Sequence, residues 1–259
     1  MKYKKILYEV HDNIAKVTLN EPEKMNRLSY EIMTEIIQAL NIANMDKGVR
    51  VIIITGAGDK AFCAGASLGE FDTDSAAGAK RFTDNYAQLA RTFTTIRKPS
   101  IAMVNGYAFA GGCGLAMYPT FGIACETATF GLPEINVGIW SMIVMATLYR
   151  MVPRKKMLEL MCTGDSIDAY EAEKIGMINK VVPGKELEAA AMNLAEKLKS
   201  KSASTLSFGL EAFYTASDME LSKALSYLSD LNGIVITSED AAEGLNAFFE
   251  KRKPQWKSC

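Results

Sequence analysis

A run of β-branched residues at positions 51–55 (VIIIT), ended by Gly56, limits the fold more than any other feature of the chain. A continuous apolar run without polar alternation is typical of a strand buried on both faces, as in a parallel sheet covered by helices. Short apolar runs at Ser100–Val104 and Phe121–Cys125 predict two more strands of the same kind. The sequence therefore predicts a sheet with helices on its faces.

Helical patterns separate these strands. Apolar residues recur every three or four positions over 32–40 and 82–96, and Ser29 offers an N-cap for the first helix. Two strand-like runs, at 6–10 and 14–19, flank His-Asp-Asn and predict a hairpin near the start of the chain. Strands that alternate with helices indicate an α/β fold.

The strand patterns stop after about residue 183. Four segments of helix-compatible composition follow, at 186–200, 203–214, 221–231 and 238–250. Because short helices form only a thin core alone, we expect them to pack on the main domain or on another subunit. We accordingly predict an α/β core at 1–195, which carries the functional site, and a C-terminal helical region at 196–259.

The composition excludes several classes of protein. Of 259 residues, 49% are hydrophobic and 23% charged, and the net charge of -1 gives no basic surface for nucleic acid. We expect no membrane span and no export signal, because charged residues interrupt the apolar stretch after the basic start. The five cysteines form no CxxC pair, which favours reduced thiols in a cytoplasmic protein. A single histidine, His11, argues against a histidine triad or a histidine-bound metal.

Two segments rich in small residues each follow a predicted buried strand, at 61–69 (AFCAGASLG) and 105–114 (NGYAFAGGCG). Glycine lets the backbone approach a ligand closely, and the first N–H groups of a helix that begins near Gly111 have no partner within that helix. One N–H donor from each segment would stabilise an oxyanion. Each segment alone is more often an ordinary tight turn, and neither fits a dinucleotide fingerprint or a P-loop.

Glu134 lies about twenty residues further on, in the segment TFGLPEINVG. Its neighbours Phe130, Leu132, Ile135 and Val137 are apolar. Apolar surroundings disfavour the charged form of a carboxyl group, which then suits proton transfer near neutral pH. From this segment alone, a helix-capping or surface glutamate is the more common interpretation.

In this order and spacing, these segments resemble the crotonase (enoyl-CoA hydratase/isomerase) superfamily. The matching segments, which extend from about residue 6 to 257, include VIIITGAGDKAFCAGASLGEF, KPSIAMVNGYAFAGGCGLAM, FGLPEINVG, MCTGDSIDAYEAEKIGMINKVV and DAAEGLNAFFEKRKPQW. The resemblance implies a crotonase-like spiral of ββα units with a C-terminal helical trimerisation region. It also implies a homotrimer or a hexamer built as a dimer of trimers.

The same resemblance implies an acyl-CoA thioester as substrate and no separate cofactor, because coenzyme A is part of the substrate. Matched by position, the backbone N–H groups of Ala66 and Gly111 are the oxyanion donors, and Glu134 is the catalytic acid/base. The positions matched to substrate binding are Lys24, Met25, Ala64, Ser67, Leu68, Gly112, Gly114 and Trp140, together with Phe248 and Lys251, which would reach the CoA of a neighbouring subunit. Lys24, Lys60 and Lys251 are candidate partners for the CoA phosphates.

The chain departs from the family pattern at several of these positions. Gly114 stands where family hydratases have the first of two glutamates, and it is expected to leave space for substrate or water and to tolerate glutamate. Ser141 replaces a proline, and the bulky Trp140 and Met142 are expected to narrow the acyl pocket. Arg27 stands where the family usually has a small residue.

One acid/base group and an oxyanion hole suffice to move a double bond, so we expect isomerisation of an enoyl-CoA. Three alternatives remain: hydration or dehydration by Glu134 with an unrecognised partner, other CoA chemistry such as decarboxylation or thioester hydrolysis, and a non-catalytic acyl-CoA-binding paralogue. Glu70, Asp72 and Tyr86 are candidates for the unrecognised partner, although each is more typical of a structural or solvated residue.

Overall fold

The computed structural model describes residues 3–67, 69 and 74–257. In chain order its strands and helices are β1 Ile6–His11, β2 Ile14–Leu19, α1 Tyr30–Met45, β3 Val51–Gly56, β4 Ala61–Cys63, α2 Ala76–Thr95, β5 Ser100–Val104, β6 Tyr107–Phe109, α3 Gly111–Met117, β7 Phe121–Cys125, β8 Thr129–Gly131, α4 Met142–Met151, α5 Arg154–Thr163, β9 Ser166–Asp168, α6 Ala169–Lys174, β10 Lys180–Val182, α7 Leu187–Lys199, α8 Ala203–Ala216, α9 Leu221–Ile236 and α10 Glu239–Phe249. Short 3₁₀ turns lie at Pro22–Lys24, Pro133–Val137 and Gly184–Glu186.

A six-stranded sheet forms the centre of the fold, with the strand order β1-β2-β3-β5-β7-β10. β1 and β2 form the predicted antiparallel hairpin, and the remaining pairs are parallel. Every residue of β3 and β5 is buried, as the β-branched run predicted. Burying an isoleucine such as Ile52 or Ile54 contributes roughly 1.5–3 kcal/mol, so this strand stabilises the core strongly.

A second sheet of four three-residue strands has the order β4-β6-β8-β9. β4, β6 and β8 run parallel, and β9 runs antiparallel to β8. Each of the three parallel strands follows a strand of the central sheet in the chain: β4 follows β3, β6 follows β5 and β8 follows β7. A unit of two strands and a helix thus recurs along the chain. The sequence analysis did not predict this sheet.

Helix packing confirms the predicted α/β fold. Ser29 caps α1 by accepting a hydrogen bond from the Ile32 N–H at 3.1 Å, as predicted. The four predicted C-terminal helices are present as α7 to α10. α7 contacts β3, β5 and β7, and the predicted boundary at 195/196 falls inside this helix. The division into two regions stays a prediction.

The last helices leave much apolar surface uncovered. Neither α8 nor α9 has a buried residue. Large side chains such as Phe213, Leu221, Leu225 and Phe248 are more than half exposed. An exposed apolar area of this kind is typical of a surface that contacts another protein chain.

No helix in the part of the chain that the structure describes is long and apolar enough to cross a bilayer. Four of the five cysteines, Cys63, Cys113, Cys125 and Cys162, are free thiols, and the first three are buried. Burial raises the pKa of Cys63 to about 12, so this thiol is protonated at neutral pH.

Two glycines bring the loop after β4 against the loop after β6. A Cβ atom added to Gly112 would collide with the carbonyl oxygen of Cys63 and would lie 2.9 Å from its Cβ atom. A Cβ atom added to Gly65, whose φ of 91° favours glycine, would lie 2.6 Å from the Cβ atom of Ala110. The two loops therefore touch backbone to backbone.

We predict that Gly112→Ala lowers the free energy of unfolding by about 1–3 kcal/mol, because backbone atoms must move to admit the methyl group. Gly209→Ala in α8 is the matched control, since a Cβ atom there has no neighbour within 4 Å. The control should be neutral or stabilising by about 0.5–1 kcal/mol. Urea unfolding measures both values, and equal stability of the two variants would contradict this account of the loop contact.

Candidate active site

Three neighbouring strands of the small sheet end at one edge of that sheet. β4, β6 and β8 are parallel, so their carboxyl ends lie side by side. Ala66 follows β4, Gly111 follows β6 and Glu134 follows β8, each within three residues of the strand end. The sheet therefore brings together the two predicted oxyanion donors and the predicted acid/base.

The backbone of Ala66 is held by Leu28. The Leu28 N–H donates to the Gly65 carbonyl at 2.7 Å, and the Ser67 N–H donates to the Leu28 carbonyl at 2.9 Å. In an extended segment successive N–H groups point to opposite sides, so the Ala66 N–H points away from Leu28. It has no hydrogen-bond partner among the described residues.

The Gly111 N–H is the second donor. Ala110 precedes it with φ 53° and ψ -125°, and this sharp turn directs the chain from β6 into α3. The Ala110 N–H donates to the Gly131 carbonyl at 2.8 Å, whereas the Gly111 N–H has no hydrogen-bond partner in the described part of the chain. A Cβ atom on Gly65 would lie 3.5 Å from the Gly111 nitrogen, so the segments that carry the two donors are adjacent.

Glu134 lies in the 3₁₀ turn Pro133–Val137, after the buried Leu132. Its Oε2 atom is buried and has no hydrogen-bond partner among the described residues. Burial raises the pKa of this carboxyl group, and a hydrogen bond with the Ser141 hydroxyl opposes part of that effect. Burial, and then the charge of Glu134, raises the pKa of the Cys113 thiol in α3 to about 12.

The expected space at Gly114 is not there. A Cβ atom on Gly114 would collide with the Tyr86 hydroxyl and would lie 2.8 Å from the Tyr118 hydroxyl. The Tyr118 hydroxyl donates to the Tyr86 hydroxyl at 2.9 Å, and the Tyr86 hydroxyl donates to the Gly111 carbonyl at 2.8 Å. Two buried phenols thus fill the position that we expected to hold substrate or water, so the expectation of open space was wrong, and a glutamate at Gly114 would have to displace both hydroxyls.

Of the three candidate partners of Glu134, only Tyr86 can be placed. Glu70 and Asp72 lie outside the described residues. Sequence reasoning placed Tyr86 on the inner face of a helix but missed Tyr118. The sequence spacing could have indicated Tyr118, because this residue ends α3 one helical turn after Gly114 and so lies on the same side of the helix.

A cavity of about 340 Å³ adjoins the Ala66 segment through Ser67. Two of the residues that line it were predicted, Lys24 and Ser67; its other lining residues are Lys5, Glu21, Arg27, Ser29, Tyr30 and Glu31. Glu21 forms ion pairs with Lys5 at 2.6 Å and with Lys24 at 3.1 Å. Arg27 donates from Nε to the Lys24 carbonyl at 3.2 Å and has no carboxylate partner in the described part of the chain. The guanidinium of Arg27 is therefore the cation in this cavity that is left for an anionic ligand.

The other predicted binding residues are more scattered. Met25 is exposed, and its carbonyl accepts a hydrogen bond from the Ala64 N–H at 3.0 Å, which ties it to the loop after β4. Trp140 is half-buried against the core. Leu68 lies outside the described residues.

Three further predictions concern side chains that are exposed. Met142 is 64% exposed, and the expectation that Trp140 and Met142 narrow or reshape the acyl pocket stays a prediction. Phe248 and Lys251 are exposed at the end of the C-terminal helical region and do not line the cavity, and Lys60 is exposed as well. None of these four side chains lines the cavity beside Ser67. Over residues 3–67, 69 and 74–257, no group of three or more His, Cys, Asp or Glu side chains is arranged to hold a metal ion.

Comparison with known proteins identifies the family of the chain. The family model described as enoyl-CoA hydratase/isomerase matches residues 9–259. A probable mitochondrial enoyl-CoA hydratase of Dictyostelium discoideum is 39% identical over 249 residues, which are 96% of this chain and 89% of that protein. A crotonyl-CoA hydratase of Syntrophomonas wolfei is 36% identical over 254 residues, covering 98% of each.

Solved structures match over the whole fold. Human enoyl Coenzyme A hydratase domain-containing protein 3 superposes with a TM-score of 0.94 at 31% identity, covering 98% of this chain and all of that one. An enoyl-CoA hydratase from Bacillus anthracis superposes with a TM-score of 0.93 at 32% identity, over 99% of this chain and all of that one. The chain therefore belongs to the enoyl-CoA hydratase/isomerase family of the crotonase superfamily and is an enzyme of that family.

Proposed function

We propose that this enzyme moves the double bond of an enoyl-CoA, with Glu134 as the proton carrier and the Ala66 and Gly111 N–H groups as the oxyanion hole. The observation that carries the proposal is the filling of the Gly114 position by two tyrosine hydroxyls. Glu134 is the only carboxylate, among the described residues, within three residues of the carboxyl ends of the parallel strands β4, β6 and β8. One carboxylate can move a proton between two carbons, whereas hydration also requires a water molecule to be held and activated.

The reaction proceeds in two balanced proton transfers. The Glu134 carboxylate removes a proton from C2 of a 3-enoyl-CoA, and the electrons of that C–H bond move toward the thioester oxygen to form a dienolate. The two N–H donors stabilise the negative oxygen. The Glu134 carboxylic acid then returns the proton to C4, the double bond lies between C2 and C3, and the carboxylate is regenerated.

Hydration of a 2-enoyl-CoA is the second candidate. It is favoured by the names of the relatives, which include a crotonyl-CoA hydratase and a short-chain-enoyl-CoA hydratase. In this candidate Glu134 activates water and also manages the proton at C2, alone or with Glu70 or Asp72. The oxyanion hole has the same role in both reactions.

The cavity beside Ser67 is the proposed place for the phosphates of coenzyme A. Lys24 and Arg27 line it, and the Arg27 guanidinium, free of a carboxylate partner among the described residues, can bind a phosphate with two parallel hydrogen bonds. This gives Arg27 a physical role at a position where the resemblance leads one to expect a small residue.

We expect Glu134→Gln to lower turnover by at least about 100-fold, the lower range for loss of a general acid/base, while acyl-CoA still binds. Purified protein is incubated with 2-enoyl-CoA and with 3-enoyl-CoA in D₂O, and mass spectrometry follows deuterium at C2 and C4, double-bond position and water uptake. Glu188→Gln is the control, because Glu188 is exposed on α7 and pairs with Lys16. Turnover by Glu134→Gln close to that of the parent would contradict the role of Glu134, and rapid hydration without isomerisation would favour the second candidate.

The pH dependence of kcat/KM should report the environment of Glu134. Its active form is the carboxylate, and burial raises its pKa, so activity should fall on acidification at a higher pH than for an ordinary glutamate of pKa about 4.3. The Ser141 hydroxyl lowers the pKa by hydrogen bonding, so Ser141→Ala should move this acid limb to still higher pH. An acid limb that stays in place or moves to lower pH in Ser141→Ala would be inconsistent with this assignment.

We further propose that the ββα units form the family's spiral and that the C-terminal helices are the trimerisation region. The apolar side chains exposed on α8, α9 and α10 support this proposal. Light scattering should give a mass of three or six subunits of 28.3 kDa. A particle with the mass of one subunit would refute the assembly and with it a role for Phe248 and Lys251 in a neighbouring site.

A further inference from the structure

The Tyr86 side chain connects α2 to the oxyanion segment. Its hydroxyl is buried and donates to the carbonyl oxygen of Gly111 at 2.8 Å. This carbonyl belongs to the same residue whose N–H is the second proposed oxyanion donor. Tyr86 therefore contacts the donor residue through its carbonyl group and not through the N–H group.

The turn that presents the donor is conformationally strained. Ala110 has φ 53° and ψ -125°, a region that residues with a Cβ atom rarely adopt. Such a conformation persists only where the surroundings hold it in place. On one side of the turn, the Ala110 N–H donates a hydrogen bond to the Gly131 carbonyl at 2.8 Å. On the other side, the Tyr86 hydroxyl donates a hydrogen bond to the Gly111 carbonyl.

Tyr118 and Gly114 complete this support. The Tyr118 hydroxyl donates to the Tyr86 hydroxyl at 2.9 Å, so the acceptor side of Tyr86 is also occupied. Tyr118 follows α3 directly, and its N–H donates to the Gly114 carbonyl at 2.9 Å. Since a Cβ atom at Gly114 would collide with the Tyr86 hydroxyl, the absence of a side chain there is what allows the two phenols to meet.

We infer that Tyr86 is a positioning residue of this enzyme, which aims the Gly111 N–H at the thioester oxygen by holding the Gly111 carbonyl, and that Gly114 and Tyr118 keep its hydroxyl in place. The inference rests on the proposed function of the Ala66 and Gly111 donors as an oxyanion hole, and it holds for isomerisation and hydration alike.

The protonation state of Tyr86 separates this role from acid/base catalysis. Burial raises the pKa of the Tyr86 phenol well above its usual value, and the neighbouring Tyr118 raises this pKa further. The hydroxyl therefore keeps its proton and remains a hydrogen-bond donor throughout the working pH range. A positioning role therefore predicts that Tyr86→Phe lowers activity equally at every pH and leaves the acid limb of Glu134 where it was.

The test measures polarisation of the thioester carbonyl directly. A conjugated 2,4-dienoyl-CoA is the probe, because hydrogen bonds to its carbonyl oxygen shift its ultraviolet absorption to longer wavelength. Spectra are recorded with Glu134→Gln, which cannot turn the probe over, and with the same protein carrying Tyr86→Phe. The added substitution should reduce the shift. In the active enzyme, Tyr86→Phe should lower kcat by about tenfold or more, less than the roughly 100- to 1,000-fold lost with an oxyanion donor itself, with little change in KM.

Two tyrosine variants serve as controls. Tyr8→Phe removes a buried hydroxyl that has no hydrogen-bond partner among the described residues, so it should leave both the absorption shift and kcat unchanged. Tyr118→Phe keeps the Tyr86–Gly111 hydrogen bond and should have a smaller effect than Tyr86→Phe. If Tyr86→Phe does not fold, Gly114→Ala displaces the same hydroxyl and should reduce the same absorption shift.

The outcomes distinguish failure of the positioning role of Tyr86 from failure of the oxyanion hole itself. A full absorption shift together with parental kcat in Tyr86→Phe overturns the positioning role while leaving the oxyanion hole intact. A change in the acid limb of the pH profile also overturns it, because Tyr86 would then act in proton transfer. If the probe shows no absorption shift even with the Tyr86 hydroxyl present, the oxyanion hole itself is wrong, and this inference falls with the proposed function.

Discussion

The backbone contact between the loops after β4 and β6 is the constraint on which the site depends. An oxyanion hole made of two N–H groups from distant parts of the chain works only if both groups reach the same oxygen. Here Gly65 lies against Ala110, and Gly112 lies against Cys63, at distances that exclude a Cβ atom. The parallel strands of the small sheet set this approach, because they deliver both loops to one edge.

The site combines this rigid backbone with a carboxylate in an unfavourable environment. The buried Oε2 atom of Glu134 has no hydrogen-bond partner in the described part of the chain, and burial raises its pKa. An uncompensated buried polar atom costs stability, and such costs concentrate where function requires them. A base that is poorly solvated holds its proton more tightly once it has taken it, which suits a group that must carry a proton from one carbon to another.

Local sequence patterns predict much of the fold, but they do not predict the small sheet that carries the candidate site. The β-branched run of β3 and the helical spacing of α2 reflect burial on a regular element, so periodicity predicts them. The strands β4, β6 and β8 have only three residues each, too few for a period, and β4 and β6 lie in segments that are rich in glycine and alanine. Segments 61–69 and 105–114 taken singly are more often ordinary turns, and the assignment of Ala66 and Gly111 as oxyanion donors came from the resemblance and stays a prediction.

The one clear error, at Gly114, arises from the same limit. A glycine in a helix leaves open space beside it only if no other side chain packs there. Beside Gly114 the Tyr86 side chain of α2 packs there, and it lies 28 residues earlier in the chain. No local pattern connects Tyr86 with Gly114. Their relation becomes visible only when the packing of α2 places the Tyr86 hydroxyl over α3.

Two phenols occupy the position where the resemblance leads one to expect a carboxylate, and this changes the chemistry that the site can perform. A carboxylate at the position of Gly114 would accept protons and could hold a water molecule, whereas a phenol of raised pKa donates a hydrogen bond and keeps its proton at neutral pH. The Tyr86 hydroxyl is also engaged on both sides, by Tyr118 and by the Gly111 carbonyl. In the proposed mechanism its contribution therefore passes through the backbone to the Gly111 N–H, and the movement of protons is left to Glu134. Under the same proposal α3 helps to stabilise negative charge on the thioester oxygen and contributes no second base, which favours reactions that need a single proton carrier.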